Sequence, residues 1–551
     1  MVPTSHAKGN CAVAAGGLGE PVAAGAIEAH EALVRKLMDS ARYPHPVQRV
    51  RLIETHISSV LLTGEYAYKL KKPLDLGFLD FSTLERRRFC CGEELRLNRR
   101  LAPDIYLEVV PIRGSADAPR FDGGGAPIEY AVKMREFAQE ALLDGMLARG
   151  ELLPAHVDAI AREVADFHRG IARAAPDSGF GSAASVTLPV EQNFAQIRPR
   201  LGSDEERAAL AAIEDWSLQA LRRLAPSFDR RRRDGFVREC HGDLHLGNIA
   251  LVDGAIQVFD CIEFNPNLRW IDVFSEIAFL VMDLAERGRA DYAWRFLDAY
   301  LQQTGDYGGL AVLDFYRVYR AMVRAKVARI RASQEHLTAQ ARAAALASYE
   351  AYLRYARRCM ALPAPALIIT HGLSGSGKTA VSQALLEGSG AVRVRSDVER
   401  KRLRHLPGHA RSGSGIDSGI YSEAATRETY EELARLARLI LESGHTAIMD
   451  AAFLQRWQRD LLRRTASAVD VPFVIVDCRA GEVVLRQRLA RREQAGSDAS
   501  EATVEVLERQ RASAEPLDGD ELTCCVAIDT ERAPPVETLL RLNEAIGRRS
   551  R

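Results

Sequence analysis

The residues best placed to do chemistry lie about two thirds of the way along the chain. There Gly372-Leu-Ser374-Gly375-Ser376-Gly377-Lys378-Thr379 follows the apolar run LIITH and precedes the helical pattern AVSQALLEG. This is the spacing G-x-x-x-x-G-K-[ST] in a strand-to-helix setting. The glycines let backbone N–H groups curl around phosphate oxygens, and the N-terminus of the following helix adds its partial positive charge. Lys378 then reaches the β- and γ-phosphates of a nucleotide, and the Thr379 hydroxyl can ligate Mg2+. A second constellation lies upstream, where His241-Gly-Asp243-Leu-His245-Leu-Gly-Asn248 is followed twelve positions after Asn248 by Asp260, behind the strand-like IQVF. A hairpin turning at Asp253-Gly254 would bring Asn248 and Asp260 to one place.

The segment that contains the glycine-rich loop, about residues 364 to 530, resembles a small-molecule or polynucleotide kinase of the P-loop class. After the strand AVRVRS comes Ser396-Asp397-Val-Glu-Arg400. The resemblance implies that Asp397 accepts the proton of the acceptor hydroxyl and that Arg400 helps to hold the substrate. A carboxylate on the acceptor side suits in-line phosphoryl transfer, where the protein positions the reactants and neutralises charge. The alternative is an ordinary helix-capping Asp beside a solvated Arg. The strand HTAIMD ends in Asp450, where such enzymes put a second acid near Mg2+ or substrate. The Arg-rich pattern VVLRQRLARREQ resembles their mobile lid, with Arg488 and Arg492 on one helical face. By that resemblance Arg492 would neutralise charge on the transferring phosphoryl group; the competing reading is a solvated charged face.

The form HGDLHLGN resembles the aminoglycoside phosphotransferase family, which shares the protein-kinase-like fold, and its Asp-to-Asn spacing is that of the kinase catalytic loop. The resemblance implies that Asp243 is the catalytic base and that Asn248 and Asp260 are Mg2+ ligands, while His241 and His245 shape the loop. Upstream, SVLLTGEYAYKLKK reads as two strands joined at Gly64-Glu65. Lys69 is then the candidate to contact the α- and β-phosphates, with Lys71 and Lys72 as near alternatives. Ser82-Thr-Leu-Glu85 forms a capping box opening a helix that offers Glu94 as partner for Lys69, with Glu93 as runner-up. The strand EYAVKM leads to Arg135-Glu136-Phe137, where this fold has its adenine-binding hinge. No glycine-rich loop precedes Lys69, and only Ser58 and Ser59 offer phosphate-facing hydroxyls. Asp272 fits an Asp that supports the catalytic-loop backbone.

Elements of two kinds must position these groups. β-like segments cluster between about Val50 and Met134, helical periodicity dominates from about Glu140, and a β-like island spans Phe236 to Phe259. A long helical pattern from about Phe315 to Met360 ends at the LPAPA segment, beyond which strands alternate with amphipathic helices in the manner of a parallel sheet. The fold class expected is therefore an α+β protein-kinase-like domain followed by an α/β P-loop domain with a parallel sheet. The expected layout is a disordered leader at 1–25, the kinase-like domain at 26–360, a linker at 361–366 and the P-loop domain at 367–551. The segment 408–419 reads as a flexible loop by composition.

Composition narrows the function classes. The chain has 551 residues, 47% hydrophobic and 27% charged, with Lys+Arg 74 against Asp+Glu 74. These proportions fit a soluble globular protein of several domains and exclude collagenous and wholly disordered classes. The longest strongly apolar stretch, around Ile277 to Ala285, contains Asp283 and falls far short of the ~20 residues that span a bilayer, so no membrane partner is expected. Nine scattered cysteines without a C-x-x-C pair argue against a zinc ribbon or disulfide framework and for the reducing cytoplasm.

The whole chain resembles bacterial two-domain proteins that join an aminoglycoside-phosphotransferase-like kinase to a P-loop kinase or ATPase. The expectation is an enzyme that uses ATP and Mg2+ at both domains to phosphorylate hydroxyls of small molecules. One alternative makes the P-loop domain the sole catalyst and the N-terminal domain a ligand-binding regulator. Another, a nucleic-acid-end kinase, rests only on Arg clusters at 456–464 and 486–492, and zero net charge argues against it. Acceptor and oligomeric state stay open.

Overall fold

The computed structural model describes residues 24–532 except 78, 335–336, 362, 408–409, 411, 415–417 and 496–499. Most of the expected leader, part of the 408–419 loop and the C-terminal 533–551 lie outside the described residues. The chain forms two compact units. One runs to Leu142 and takes back His241–Asp243 and Asn248–Arg269; the other holds Leu143–Cys240, Leu244–Gly247 and everything from Trp270 onward.

The first unit is built on a six-stranded antiparallel sheet in the order β1-β2-β3-β6-β4-β5. Its strands are β1 Arg51–Glu54, β2 Ser58–Leu62, β3 Tyr66–Lys71, β4 Tyr106–Gly114, β5 Pro119–Arg120 and β6 Glu129–Arg135. Period-two alternation divides β3 between two faces. Tyr68 and Leu70 join Leu33, Val34, Leu37 and Ile112 in a core with the helix Ala24–Leu37. Removing one such side chain, Leu70→Ala, costs roughly 2–5 kcal/mol. Lys69 and Lys71 point the other way, towards the helix Leu84–Asn98. That helix starts one residue later than the capping-box reading implies. Thr83 caps it by accepting from the Arg86 N–H, because the Ser82 hydroxyl is occupied, donating to Asp80 at 2.7 Å.

In the second unit β7 Val237–Glu239 pairs with β10 Trp270–Asp272. In the first unit β8 Ile249–Val252 and β9 Ala255–Val258 form the hairpin at Asp253-Gly254, both with positive φ as the tight turn requires. The long helical pattern before LPAPA is two helices, Leu310–Ala332 and Ala339–Met360, the second capped by Thr338. They run antiparallel, with Arg317 donating to Tyr355 at 2.9 Å and the Arg329 guanidinium over the Tyr349 ring.

The second unit also contains a five-stranded, fully parallel sheet in the order β12-β13-β11-β14-β15. Its strands are β11 Leu367–His371, β12 Val392–Arg395, β13 Ala447–Asp450, β14 Phe473–Arg479 and β15 Cys525–Asp529. β11, β13 and the first part of β14 read as near-continuous apolar runs, as strands covered on both faces do, whereas β12 alternates Val with Arg. Ile368, Leu385, Ile448, Val474 and Ile528 make one core. The loop after β11 and the end of β13 fall where the strand order reverses, the usual ligand crevice of such sheets. No helix among the described residues is long and apolar enough to cross a membrane, and every described cysteine is a free thiol.

Candidate active sites

The first unit gathers charge under its sheet. Lys69 Nζ lies 2.8 Å from Glu94 and is also paired with Asp260. Lys71 Nζ lies 2.6 Å from the other oxygen of Glu94 and is paired with Glu263. Burial alone would raise the Glu94 carboxyl, but the two lysines override it and hold it down at about 2. Burial likewise works against a charged Lys69, yet Asp260 and Glu94 push its pKa well above the ordinary lysine value. Glu263 goes the opposite way, its burial raising it. Glu93 faces elsewhere, 2.9 Å from Arg96 and 3.3 Å from Arg269. Lys72 reaches Glu54 and the Thr55 carbonyl, and Lys133 sits over the Tyr66 ring. The structure thus brings Lys69, Lys71, Glu94 and Asp260 into one cluster and keeps Glu93 and Lys72 apart from it.

Asp260 is half exposed and holds φ +64°, a left-handed conformation that Asp tolerates better than most residues. Its backbone N–H donates to the Tyr106 hydroxyl at 3.2 Å, and the next N–H, of Cys261, donates to Asn98 Oδ1 at 2.9 Å. Asn98 also donates to the Glu94 carbonyl, so the helix carrying Glu94 grips the segment carrying Asp260. Asn248 Nδ2 donates to the Asp243 carboxylate at 3.1 Å and to its carbonyl at 3.0 Å, while the Asn248 carbonyl accepts from Phe259 N–H. His241 shapes this loop: Nε2 lies 2.8 Å from the Phe259 carbonyl, and Nδ1 accepts from Asp243 N–H. Phe137, at the expected hinge, meets Phe259 edge-on with ring centroids 5.4 Å apart.

Two expectations are corrected by this geometry. Ser58 and Ser59 are fully buried within β2, and Ser59 is bonded to His30 and Glu54, so neither hydroxyl faces a phosphate. The turn before them is closed by Thr55, whose hydroxyl accepts from Ser58 N–H at 2.9 Å. Asp272 does not support the catalytic-loop backbone. It caps the helix Val273–Glu286 and takes both arms of Arg231, whereas Asp283 accepts from Leu246 N–H at 3.0 Å. Sequence reading missed Glu263, Asn98, Tyr106 and Asp283. A lone acid three residues past Asp260 in an apolar run was the one signal available for Glu263.

In the second unit the loop 372–377 wraps as its spacing implies. Gly372 has φ +135°, and an added Cβ would lie 2.5 Å from the Cys478 carbonyl, so only glycine fits. Gly377, at φ +86°, is the N-cap of the helix Lys378–Ser389. Lys378 Nζ donates to the carbonyls of Gly372 and Leu373 at 2.9 and 2.8 Å, and burial lowers its pKa. Ser374 N–H donates to Gln510, Gly375 packs under Leu485, and the Ser376 side chain is buried. Thr379 stands in the first helical turn, with its carbonyl accepting from Ser382 at 3.1 Å. Ser382 also donates to Asp450 at 3.0 Å, so Asp450 and Thr379 share this serine. Asp397, partly exposed at the start of the helix Ser396–Arg402, makes no hydrogen bond or ion pair among the described residues, and its charge acts on Lys378.

Arg400 and Arg488 are engaged with the protein itself. Arg400 is buried, donating to the Ile420 carbonyl and Thr426 and lying over the Tyr421 ring, so it ties down neighbouring chain. Arg488 binds the Gly375 carbonyl and Thr530, bracing the phosphate loop from behind. Arg492, partly exposed on the helix Glu482–Ala495, is close enough for its charge to act on Lys378. In the basic clusters Arg459 is buried against Glu521, Arg456 pairs with Asp518, and Arg486 pairs with Glu482 and Glu508.

The model of the phosphotransferase enzyme family (APH) matches residues 134–316, and an AAA domain model (AAA_33) matches residues 367–517. The uncharacterized protein Rv2004c of Mycobacterium tuberculosis is 32% identical over 471 residues, covering 85% of this chain and 92% of its own. A Mycobacterium bovis protein, Mb2027c, matches to the same extent. The chain belongs to this two-domain family. It joins an aminoglycoside-phosphotransferase-like kinase domain to a C-terminal P-loop kinase domain, and both are of families that transfer phosphate from ATP. Among solved structures, amicoumacin kinase hAmiN in complex with AMP-PNP, Ca2+ and Ami is 15% identical, covering 59% of this chain and 93% of that one at a TM-score of 0.37. The APS kinase CysC of Mycobacterium tuberculosis in complex with AMPPNP and APS is 21% identical, covering 34% and 99% at a TM-score of 0.26.

Proposed function

We propose that the protein is a bifunctional phosphotransferase with two separate ATP sites, each transferring the γ-phosphoryl group to a hydroxyl of a small molecule. The observation that carries this reading is the pairing of Lys69 with Glu94 and Asp260 beside the Asn248–Asp243 contact, because the P-loop alone would support only one site. In the first site Lys69 is held by two carboxylates in the position from which it would meet the α- and β-phosphates. Asn248 spends its amide N–H on Asp243, which leaves its oxygen, with the Asp260 carboxylate, as an all-oxygen donor set of the kind Mg2+ takes. Bound there, Mg2+ would supply charge neutralisation of the phosphates. Asp243 takes the acceptor's hydroxyl proton as the acceptor oxygen forms its bond to phosphorus, and the β,γ-bridging P–O bond breaks to release ADP.

In the second site the loop 372–377 cradles phosphates, Lys378 turns from its own loop carbonyls to the β- and γ-phosphates, and Thr379 with Asp450 offers oxygen donors for Mg2+. Asp397 takes the acceptor proton and Arg492 neutralises charge on the phosphoryl group. The regulator reading of the N-terminal domain draws on one observation, the glycine-free Thr55–Ser58 turn with its buried serines. Calorimetric titration of the full chain with AMP-PNP and Mg2+ separates the two. Two molar equivalents are expected, reduced to one by Lys378→Ala and to the other one by Asp260→Ala. A single equivalent, lost in Lys378→Ala and untouched by Asp260→Ala, would overturn the N-terminal kinase assignment.

A further inference from the structure

Asp298 lies on the helix Ala290–Thr304, within the stretch matched by the phosphotransferase model. Arg393 lies on β12, within the stretch matched by the AAA model, and both belong to one compact unit. The two form a bidentate pair, Arg393 Nη2 and Nε donating to Asp298 at 2.7 and 3.3 Å, and both are about 95% or more buried. Gln302 also donates to Asp298 at 2.6 Å, and Gln383 accepts from Arg393 at 2.7 Å. The remaining arm of the guanidinium donates to the Thr379 carbonyl at 3.3 Å and to the Ser382 hydroxyl at 3.1 Å. Ser382 in turn donates to Asp450. Arg393 therefore touches the backbone of one oxygen donor of the P-loop site and, through one serine, the carboxylate of the other.

The surroundings hold this clamp still. Trp294 of the same helix packs so close to Gly390 that an added Cβ would lie 2.7 Å from its ring. Arg295 pairs with Glu387 at 2.9 Å, and Arg402 donates to the Gln302 carbonyl at 2.5 Å. A buried guanidinium without a carboxylate partner would be expensive, so the orientation of Arg393 depends on Asp298.

We propose that Asp298 and Arg393 are positioning residues for the P-loop Mg2+ site, so that a helix of the phosphotransferase domain sets the metal affinity of the kinase domain downstream of it. The inference rests on the reading of loop 372–377, Thr379 and Asp450 as a Mg-nucleotide site. Groups that orient a metal's ligands change its affinity by roughly 10- to 100-fold when removed.

The test uses the full chain carrying Asp260→Ala, which leaves the P-loop site as the reporter, with AMP-PNP as probe and Mg2+ titrated calorimetrically. Asp298→Asn is expected to raise the half-saturating Mg2+ at least tenfold while leaving metal-free AMP-PNP affinity within about twofold. Asp298→Glu is expected to recover most of the loss, and Gln302→Ala, which touches Asp298 but not Arg393, to shift it by less than threefold. An unchanged Mg2+ requirement in a folded Asp298→Asn protein overturns the proposal. Should that variant fail to fold, amide exchange in the parent decides: Mg2+ with AMP-PNP should slow exchange in Ala290–Thr304, and no change there overturns the proposal equally. If Lys378→Ala leaves Mg2+-dependent binding intact, the P-loop assignment itself falls; if it abolishes binding and Asp298→Asn does nothing, only the positioning role falls.

Discussion

Lys69 and Lys71 sit two residues apart on one face of β3 and share Glu94, yet their surroundings assign them different work. Lys71 is 1% exposed and bridges Glu94 and Glu263, both of which are buried. Lys71→Met would take from buried Glu263 its lysine partner and leave buried Glu94 to Lys69 alone. Breaking a buried pair in this way costs about 3–5 kcal/mol. For a unit of this size each kcal/mol is worth roughly 2–4 °C, so its melting transition should fall by roughly 6–20 °C. Lys69→Met leaves Glu94 paired with Lys71 and frees Asp260, which is half exposed and can be solvated, so the cost is smaller, about 1–3 kcal/mol. The binding effects should be ordered the other way. In a Lys378→Ala background, Lys69→Met should remove Mg2+-dependent AMP-PNP binding, while Lys71→Met, assayed below its melting transition, should retain it within about tenfold. Differential scanning calorimetry and titration on the same samples read both quantities. A Lys71→Met protein that melts normally and loses nucleotide, beside a Lys69→Met protein that binds it, would refute the assignment and make Lys71 the nucleotide lysine.

Lys378→Ala should abolish ATP turnover at the P-loop site with the melting profile kept, as measured by ADP release from the full chain carrying Asp260→Ala; persisting turnover would remove Lys378 from the site. Asp397→Asn should lower phosphoryl transfer far more than AMP-PNP affinity, because on the proposed reading Asp397 takes the acceptor proton, and it makes no hydrogen bond or ion pair among the described residues. Equal transfer rates would remove Asp397 from the catalytic assignment. His30 is buried against Ser59, and burial lowers its pKa from 6.5 to about 4. Between those values the unfolded chain binds the proton and the folded one does not, so stability rises with pH there and is lost as pH falls from about 6.5 towards 4, by roughly 3 kcal/mol at most. Urea melts across that range should show the slope, and His30→Gln should flatten it; an unchanged slope would mean other groups carry it.

What could be read from the sequence was whatever a short stretch of chain decides alone. The phosphate loop is such a case, since its glycines, lysine and threonine act through backbone that is contiguous. The hairpin at Asp253-Gly254 and the central parallel strands β11, β13 and β14 are others, one set by φ > 0 residues and the rest by apolar runs. The choice among Lys69, Lys71 and Lys72 was not readable, because it depends on which of them the helix Leu84–Asn98 faces across the sheet. Asp272 and Asp283 lie eleven residues apart on one helical segment, and only folding decides which meets Leu246 and which meets Arg231. Arg393 and Asp298 are ninety-five positions apart, in stretches that read as separate domains, so nothing local announces their pairing.

On the proposed bifunctional reading, the two sites would solve the same electrostatic problem with different materials. At the P-loop, on that reading, a triphosphate would meet backbone N–H groups of the glycine-rich loop, with Lys378 and Arg492 supplying the side-chain charge. In the first unit the corresponding turn, Thr55–Ser58, is closed by its own threonine and offers no glycine cradle. Positive charge there comes from side chains: two lysines on adjacent same-face positions of β3, held in place by three carboxylates. One carboxylate, Asp260, is exposed enough to exchange Lys69 for a metal, while Glu94 and Glu263 remain committed to Lys71. Lys69 can therefore leave Asp260 for phosphate oxygens without unpairing a buried acid. A lysine-based grip of this kind loses strength with rising salt more steeply than a backbone cradle, because its charges are whole rather than partial. AMP-PNP affinity at the first site, measured in Lys378→Ala, should accordingly fall faster between low and physiological salt than affinity at the P-loop site, measured in Asp260→Ala. Parallel salt dependences would mean that backbone groups, not the paired lysines, carry nucleotide binding in the first unit.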